Sequence, residues 1–597
     1  MKTLVQKIND ELKIRFEKSG LSCDTKISVS NRPELCDYQL NQAFSLSKTC
    51  GKKPIDVAKD IKNIVSDMTI DGVKVWSKVD VCPPGFVNLS LSDDILDRET
   101  TYIVEDKNLS VSDVDDGVRC VLLDYGGANI AKPLHIGHLR VAVIGESYKR
   151  ICQKVGKKTI GDVHLGDFGL PMGLVVEELK DEGIQDTFTI DDLQVVYPKA
   201  NNRAKGIKND DGTYKVEPDV DFNERAHKAT NNLQNEVDPD YSIWKRVMDI
   251  SIKDLKVRYK SLGVDFDYYY GESTVKDILD LMVIDFIDRK ICVESNGAYV
   301  VDVRKDTDKK EMPPCIIKKT DGSVLYATTD LGTIIYREKN FDADKYVYVV
   351  DKRQSLHFEQ VFRTSRLAKI VGDKKIFYHI GVGTMNGPDG KPFKSRDGGV
   401  LKLETLVGDC IDKAKKSVLA NADKDIKDID ETSRMIAMAA IKYGDLQNQP
   451  TRDYVFDIDK FLSFQGNTGP YILYTVVRIK SILDKLGIND DAIDDTYKDL
   501  MLSKVYGDVP DIIHDINLFL TKYDDTVKGA YVDYSPSYIC KYIYDLSDKF
   551  NTFYHEHNIL NESDMDKKNY MIYLCIKVKK ILLDALYLLG IECPDRM

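Results

Sequence analysis

The sequence predicts an α/β protein built on a Rossmann-like, doubly wound parallel sheet, with an N-terminal α+β domain before it and a C-terminal all-α helical domain after it. Three observations predict this. At 597 residues the chain is too long for one core, and length suggests about three or four domains. The apolar run "VRCVLLDYGG" ends in two glycines, apolar residues then recur at helical spacing (Leu139, Val143, Ile144, Tyr148, Ile151, Val155), and the strand candidate "KKTIGDVHL" follows. That is one βαβ unit, which places ligands at the carboxyl ends of the strands. From about Glu431 to Leu589, helical periods dominate.

The elements follow in chain order. Residues 1–110 read as a small α+β domain: an opening amphipathic helix, a second amphipathic stretch from Pro54 to Met68, and strand-like "GFVNLSLS" from Gly85 to Ser92. The acidic, Ser-rich stretch from Glu105 to Asp116 lacks a period and marks a boundary. Residues 111–430 form the domain of the parallel sheet. Within it, residues 196–240 are polar and rich in Asn, Asp and Lys, as expected of a surface insertion. The βα pattern resumes from Tyr299 to Glu338 and again from Lys345 to Phe362. Residues 431–597 form the helical domain, with aromatics on apolar faces.

Composition excludes several classes. Charged residues make up 30% and hydrophobic ones 43%, the balance of an ordinary folded chain, and no apolar run approaches ~18 residues, so no transmembrane helix is expected. Asp10, Glu11 and Glu17 in the first helix fit neither a signal nor a transit peptide, which predicts a cytoplasmic protein. The twelve cysteines stand singly with no CxxC pair, as reduced core thiols rather than a metal or redox site. A net charge of -12 argues against a generally basic nucleic-acid binder and against DNA, while leaving room for local basic grooves.

Of only nine histidines, two stand three apart in "GANIAKPLHIGHLR", residues 127–140. A turn that leaves a strand and enters a helix gathers backbone N–H groups and the positive helix end at one point, which suits a phosphate. Pro133 sits just before the helix start, where its missing N–H does no harm. His135 and His138 would share one side of the first turn and could donate to triphosphate oxygens. Gly137 would let a nucleobase or sugar approach the backbone. Taken alone, the pair could also be a hydrogen-bonded couple at a helix terminus. A metal site is disfavoured, since no third His or Cys stands at ligand spacing.

"HIGH" after a strand resembles the signature of class I aminoacyl-tRNA synthetases, and "ANIAKPLHIGH" resembles that of the arginyl-tRNA synthetases. The resemblance runs through nearly the whole chain in the order of that family's blocks: "HLGDFGLPMG" (164–173), "LYATTDLG" (325–332), "GKPFKSRDGG" (390–399), "SFQGNTGPYILY" (463–474) and the terminal "LGIECPDRM". It implies attack of an amino acid carboxylate on the α-phosphorus of ATP, loss of pyrophosphate, and transfer to tRNA. Such chemistry needs positioned positive charge more than a covalent nucleophile.

The resemblance implies an ATP site along Ala128, Asn129, Ile130, Ala131, Lys132, Pro133, Leu134, His135, Ile136, Gly137 and His138, with the histidines supplying part of the positive charge. Most class I enzymes add a lysine from a mobile KMSKS loop. The loop here has Lys394, Ser395 and Arg396 but departs from that pattern, because no second lysine follows Ser395 and Arg396 then Asp397 stand there instead. Arginyl enzymes with such loops carry a lysine just upstream of HIGH, and Lys132 stands there, so Lys132 is expected to replace the missing ammonium. Lys132, His135, His138 and Lys394 are thus the expected catalytic groups. A guanidinium calls for carboxylates, and the resemblance assigns Asp124 and Asp330, with the Tyr326 hydroxyl, to the substrate guanidinium, and Asn129 and Gln354 to its α-amino group. Asp330 could equally complement a helix dipole, Asp124 cap a turn, and Tyr326 lie in a core. His357 is a weaker candidate for contact with ATP or the tRNA end.

ATP is expected as its Mg2+ complex, with no dedicated metal cage and no other cofactor. The implied partners are tRNA(Arg), L-arginine and ATP, the implied state a monomer, and activation is expected to need tRNA. The resemblance makes the C-terminal domain an anticodon binder, with the tail at Met597 near the anticodon, and the N-terminal domain a contact for the outer corner of tRNA, with Asn88 reading a base. Tyr471, Tyr474, Tyr542, Tyr544, Tyr554 and Tyr587 are expected mostly in the core. A catalytically silent tRNA-binding paralogue and a nucleotidyltransferase without tRNA are the competing classes. The charge cluster argues against the first and the long helical region against the second.

Overall fold

The computed structural model describes residues 2–132, 134–209, 211–320, 325–391, 402–421, 426–488 and 509–597. At its centre is a five-stranded sheet in which every neighbouring pair is parallel. Cys120–Asp124, apolar on both faces, forms the middle strand. The chain first builds to one side with Lys158–Leu165 and Tyr268–Gly271, then crosses to the other with Lys345–Asp351 and Ile376–Val382. Strand order therefore reverses between Cys120–Asp124 and Lys345–Asp351, and a crevice opens beyond their carboxyl ends. The turn carrying both histidines leaves the first of these strands, and the turn carrying Gln354 leaves the second.

The helix Ile136–Lys154 packs across this sheet with most of its residues buried. Gly145 is required there, because a Cβ would stand 2.4 Å from the Tyr125 ring. Tyr125, first residue of the histidine turn, is pinned by its hydroxyl donating to Glu146 Oε2 at 2.8 Å. On the same helix Arg140, 1% exposed, donates from Nε to Asp445 Oδ2 at 2.9 Å, and Tyr454 donates its hydroxyl to the same oxygen at 3.0 Å. This buried ion pair ties the histidine helix to Ile429–Leu446, the helix that leads toward the C-terminal bundle.

The N-terminal unit is a four-stranded antiparallel sheet with its own apolar core, to which the helices Leu4–Lys18 and Pro54–Val65 contribute. It is held to the C-terminal helices by His514, whose Nδ1 meets Asp93 at 2.7 Å and whose Nε2 meets Asp37 at 3.3 Å, and by buried Lys577 on Asp97 at 2.6 Å. The two aspartates outweigh desolvation by burial and push the His514 imidazole up to about 10.

Two stretches differ from the sequence expectation. Residues 196–240 hold the end of the helix Ile190–Lys205, a short hairpin, and the helix Val220–Gln234. Val196, Ala200, Ala204, Phe222, Ala226, Ala229 and Leu233 are all buried, so a seam of mostly small apolar residues packs inward beneath a polar face. The strands between Val293 and Lys318 do not extend the parallel sheet but form a separate antiparallel one of three strands. Cys315 and Ile317 are buried while Ile316 is exposed, the alternation of a sheet wetted on one side. All twelve cysteines are free thiols, most of them buried. Among the described residues no helix is long and apolar enough to cross a membrane.

Candidate active site

His135 is the N-cap of Ile136–Lys154 and His138 its third helical residue. They form a reciprocal capping pair built from imidazoles: His135 Nδ1 accepts from the Gly137 N–H and His138 Nδ1 accepts from the His135 N–H, both at 3.1 Å. The rings stack with centroids 3.7 Å apart. With each Nδ1 acting as acceptor, the network assigns each proton to Nε2. Gly137 makes room for this arrangement, since a Cβ there would stand 2.9 Å from the His135 ring.

Burial pushes the His138 imidazole down to about 3, and His135 and Lys132 add to the effect. Burial and Lys132 likewise lower His135 below its ordinary value. Burial thus favours the neutral form of both rings, in which each Nε2 carries an N–H. Lys132 is exposed, and its ammonium lies 4.6 Å from the centre of the Tyr197 ring. Ala128, Ile130, Ala131, Leu134 and Ile136 are buried, so among the described residues of the turn Gly127, Asn129, Lys132 and Gly137 are the exposed ones. Ala131 holds a left-handed φ of 59°. Asn129 is exposed and bridges to Gly166 of the neighbouring strand's loop.

Pro133, Lys394, Ser395 and Arg396 lie outside the described residues. Lys402 and Leu403 meet the histidine turn: Lys402 forms an antiparallel bridge with His135, and the Leu403 N–H donates to the Leu134 carbonyl at 3.0 Å.

Several acids gather near the carboxyl ends of the same strands. Tyr326 opens the helix Tyr326–Asn340, so Asp330 stands one turn further along the same face. Tyr326 is 75% exposed, which excludes the core alternative. His357 Nε2 lies 2.5 Å from Asp330 Oδ2. Asp124 ends the middle strand, but Arg337, 1% exposed, already engages its Oδ2 at 2.7 Å and donates to Asp162 Oδ2 at 2.6 Å. Burial raises the Asp124 carboxyl above its ordinary range against the pull of Arg337. An arginine of the chain itself thus fills, at one oxygen, the task expected of a substrate guanidinium. Gln354 is exposed at the turn following Lys345–Asp351.

Glu272 is an acid that sequence reasoning did not single out. It follows the strand Tyr268–Gly271 directly, within electrostatic reach of Asp167 and Asp330. Burial raises its carboxyl to about 7, opposed by His164 and reinforced by Asp167 and Asp330. The signal lay in "YYYGES", an acid just past a strand end, but nothing local said that this strand joins the main sheet.

The RNA-facing candidates fare differently. Asn88 is 6% exposed in an interior strand, where its Oδ1 accepts from Gln39 Nε2 at 2.8 Å and its Nδ2 contacts Cys82 Sγ at 3.3 Å. As placed, it does not present its amide to a base. Met597 is half-buried against the main core, while Asp595 and Arg596 pair with Lys480 and Asp484 at 2.8 and 2.7 Å. Of the six tyrosines, Tyr474 and Tyr587 are exposed, Tyr542 is buried, and the others are half-buried.

Comparison with known proteins gives a consistent set of matches. Residues 100–458 match the family model "tRNA synthetases class I (R), catalytic domain", residues 472–597 "DALR anticodon binding domain", and residues 2–91 "Arginyl tRNA synthetase N terminal domain". The chain is 41% identical to an arginine–tRNA ligase of Alkaliphilus oremlandii and 40% identical to one of Agathobacter rectalis, each alignment covering the whole of both chains. In fold it is similar to the arginyl-tRNA synthetase of Plasmodium falciparum, with TM-score 0.78, 22% identity and full coverage of both chains. The corresponding Thermus thermophilus enzyme gives 0.76 and 18%, also with full coverage.

Proposed function

The chain belongs to the arginyl-tRNA synthetase family, and on that premise we propose that it is an arginine–tRNA ligase with the following division of labour. It activates L-arginine with ATP to arginyl-adenylate, releases pyrophosphate, and transfers the arginyl group to the terminal adenosine of tRNA(Arg), with AMP leaving. The observation that carries this reading is the juxtaposition, at one sheet crevice, of a histidine-capped helix start suited to phosphates and an acid-lined pocket suited to a guanidinium.

ATP enters as its magnesium complex and lies across the turn 128–138. His135 and His138 donate from Nε2–H to phosphate oxygens, Lys132 supplies the ammonium, and Lys394, Ser395 and Arg396 add further contacts to the phosphates. Because the imidazoles are neutral, they stabilise charge that develops on the phosphates without repelling the two lysines. Asp330, Glu272 and the Tyr326 hydroxyl receive the guanidinium, Asp124 fixes the floor through Arg337, and Asn129 and Gln354 meet the α-amino group. The arginine carboxylate then attacks the α-phosphorus in line with the departing pyrophosphate. The helical domain receives the anticodon, with the Met597 tail beside it, and the enzyme works in the cytoplasm as a monomer. The test is ATP–pyrophosphate exchange with arginine and tRNA supplied singly and together. Exchange that requires both supports the reading; exchange with neither, or with another amino acid, overturns it.

A further inference from the structure

Among the described residues, His164 is the one imidazole with both ring nitrogens buried and without a hydrogen-bond partner. Buried polar groups almost always find partners, so such a ring calls for an explanation. Its position supplies one. His164 is the penultimate residue of the strand Lys158–Leu165 and two residues beyond Asp162, so its side chain leaves the same face of the sheet on which Arg337 joins Asp162 to Asp124. In register it stands beside Tyr270, two residues before Glu272. The charged groups that feel its ring come from three directions: Asp124 from the middle strand, Asp167 from the loop after its own strand, and Glu272 from the far strand.

We propose that His164 is a specificity-determining residue of the arginine pocket, whose ring accepts one guanidinium N–H of bound arginine at the inner end of the site. The proposal rests on the arginine reading above. A guanidinium carries five N–H donors in a rigid plane, and each donor buried by binding needs an acceptor. Asp330, Glu272 and Tyr326 take those that face the helix Tyr326–Asn340 and the far strand, which leaves the donor that faces the sheet. An imidazole nitrogen there accepts it without adding a further negative charge to a cluster already rich in acids. Lysine has a single ammonium and no planar fork, so it cannot span from Asp330 to His164, and the contact selects arginine over lysine.

The test is steady-state aminoacylation by His164→Leu, His164→Asn and His164→Gln, with KM measured separately for arginine and ATP. His164→Leu should raise the arginine KM about tenfold or more while ATP KM and kcat stay within about twofold, because a site that loses one buried acceptor discriminates through that contact. The amide oxygens of Asn and Gln stand near Nδ1 and Nε2 respectively, so one of these variants should recover most of the arginine affinity and the other should not. An unchanged arginine KM in folded His164→Leu, or a parallel rise for arginine and ATP, would overturn the proposal. If His164→Leu does not fold, equal arginine KM values for the two amide variants overturn it instead. Wild-type protein assayed alongside separates the two levels: failure of wild type to charge arginine refutes the functional reading, whereas normal wild-type charging with indifferent variants refutes only His164.

Discussion

Substitution of His138 separates two tasks that one ring performs. Its Nδ1 accepts the His135 N–H at 3.1 Å, and its Nε2–H is the proposed donor to phosphate. Loss of a side-chain cap costs about 0.5–2 kcal/mol. Loss of one positioned donor to developing charge costs about 10²–10³ in rate, or about 2.7–4 kcal/mol. Asparagine sets its amide oxygen near Nδ1 but has nothing at Nε2, so His138→Asn should melt in denaturant close to wild type and lose about 10²–10³ in ATP–pyrophosphate exchange. A glutamine extended to the Nε2 position cannot at the same time reach back to cap the His135 N–H. His138→Gln should therefore lose about 0.5–2 kcal/mol of stability and keep the larger share of the rate. Since burial holds His138 neutral down to about 3, its protonation contributes nothing to the rate profile near neutral pH. A fully active His138→Asn would refute the phosphate role; a stable but inactive His138→Gln would refute the separation of tasks.

Three further outcomes are expected. Lys132→Ala should lower the activation rate strongly and leave tRNA affinity nearly unchanged in a binding titration, and unimpaired turnover would remove Lys132 from the catalytic groups. Glu272 is neutralised as pH falls through about 7, so the arginine KM should rise toward acid pH and the slope should flatten in Glu272→Gln; an identical slope in both proteins would move the guanidinium elsewhere. Gly145→Ala drives a Cβ to 2.4 Å from Tyr125, and the overpacking should cost about 1–3 kcal/mol in thermal or denaturant unfolding. A wild-type stability would mean that Tyr125 yields without strain.

The middle strand was legible because Cys120–Asp124 is apolar on both faces and stops at two glycines, a local pattern that parallel sheets impose. The histidine turn was legible for the same reason, its residues being contiguous. What could not be read depended on contacts distant in sequence. Glu272 reaches the pocket only because Tyr268–Gly271 pairs with Lys158–Leu165, more than a hundred positions earlier. Nothing in "YYYG" specifies that partner. Asp124 and Asp330 were visible as acids, but not that Arg337 and His357 already hold them. Asn88 occupies a polar position in an alternating strand, and only the strand's place between two neighbours turns it inward. The strength of the neutral preference was equally hidden, because it is burial that lowers His135 and His138 below the ordinary imidazole value. The seam of alanines in 200–229 escaped notice because its polar neighbours dominate the composition.

The central claim is that acids at one sheet crevice choose the amino acid while the adjoining helix start activates it. Charging total tRNA with each of the twenty amino acids in turn tests that most directly. The account predicts that arginine alone becomes esterified to tRNA, with ATP consumed in step. Esterification of lysine or of an uncharged amino acid in arginine's place would contradict it.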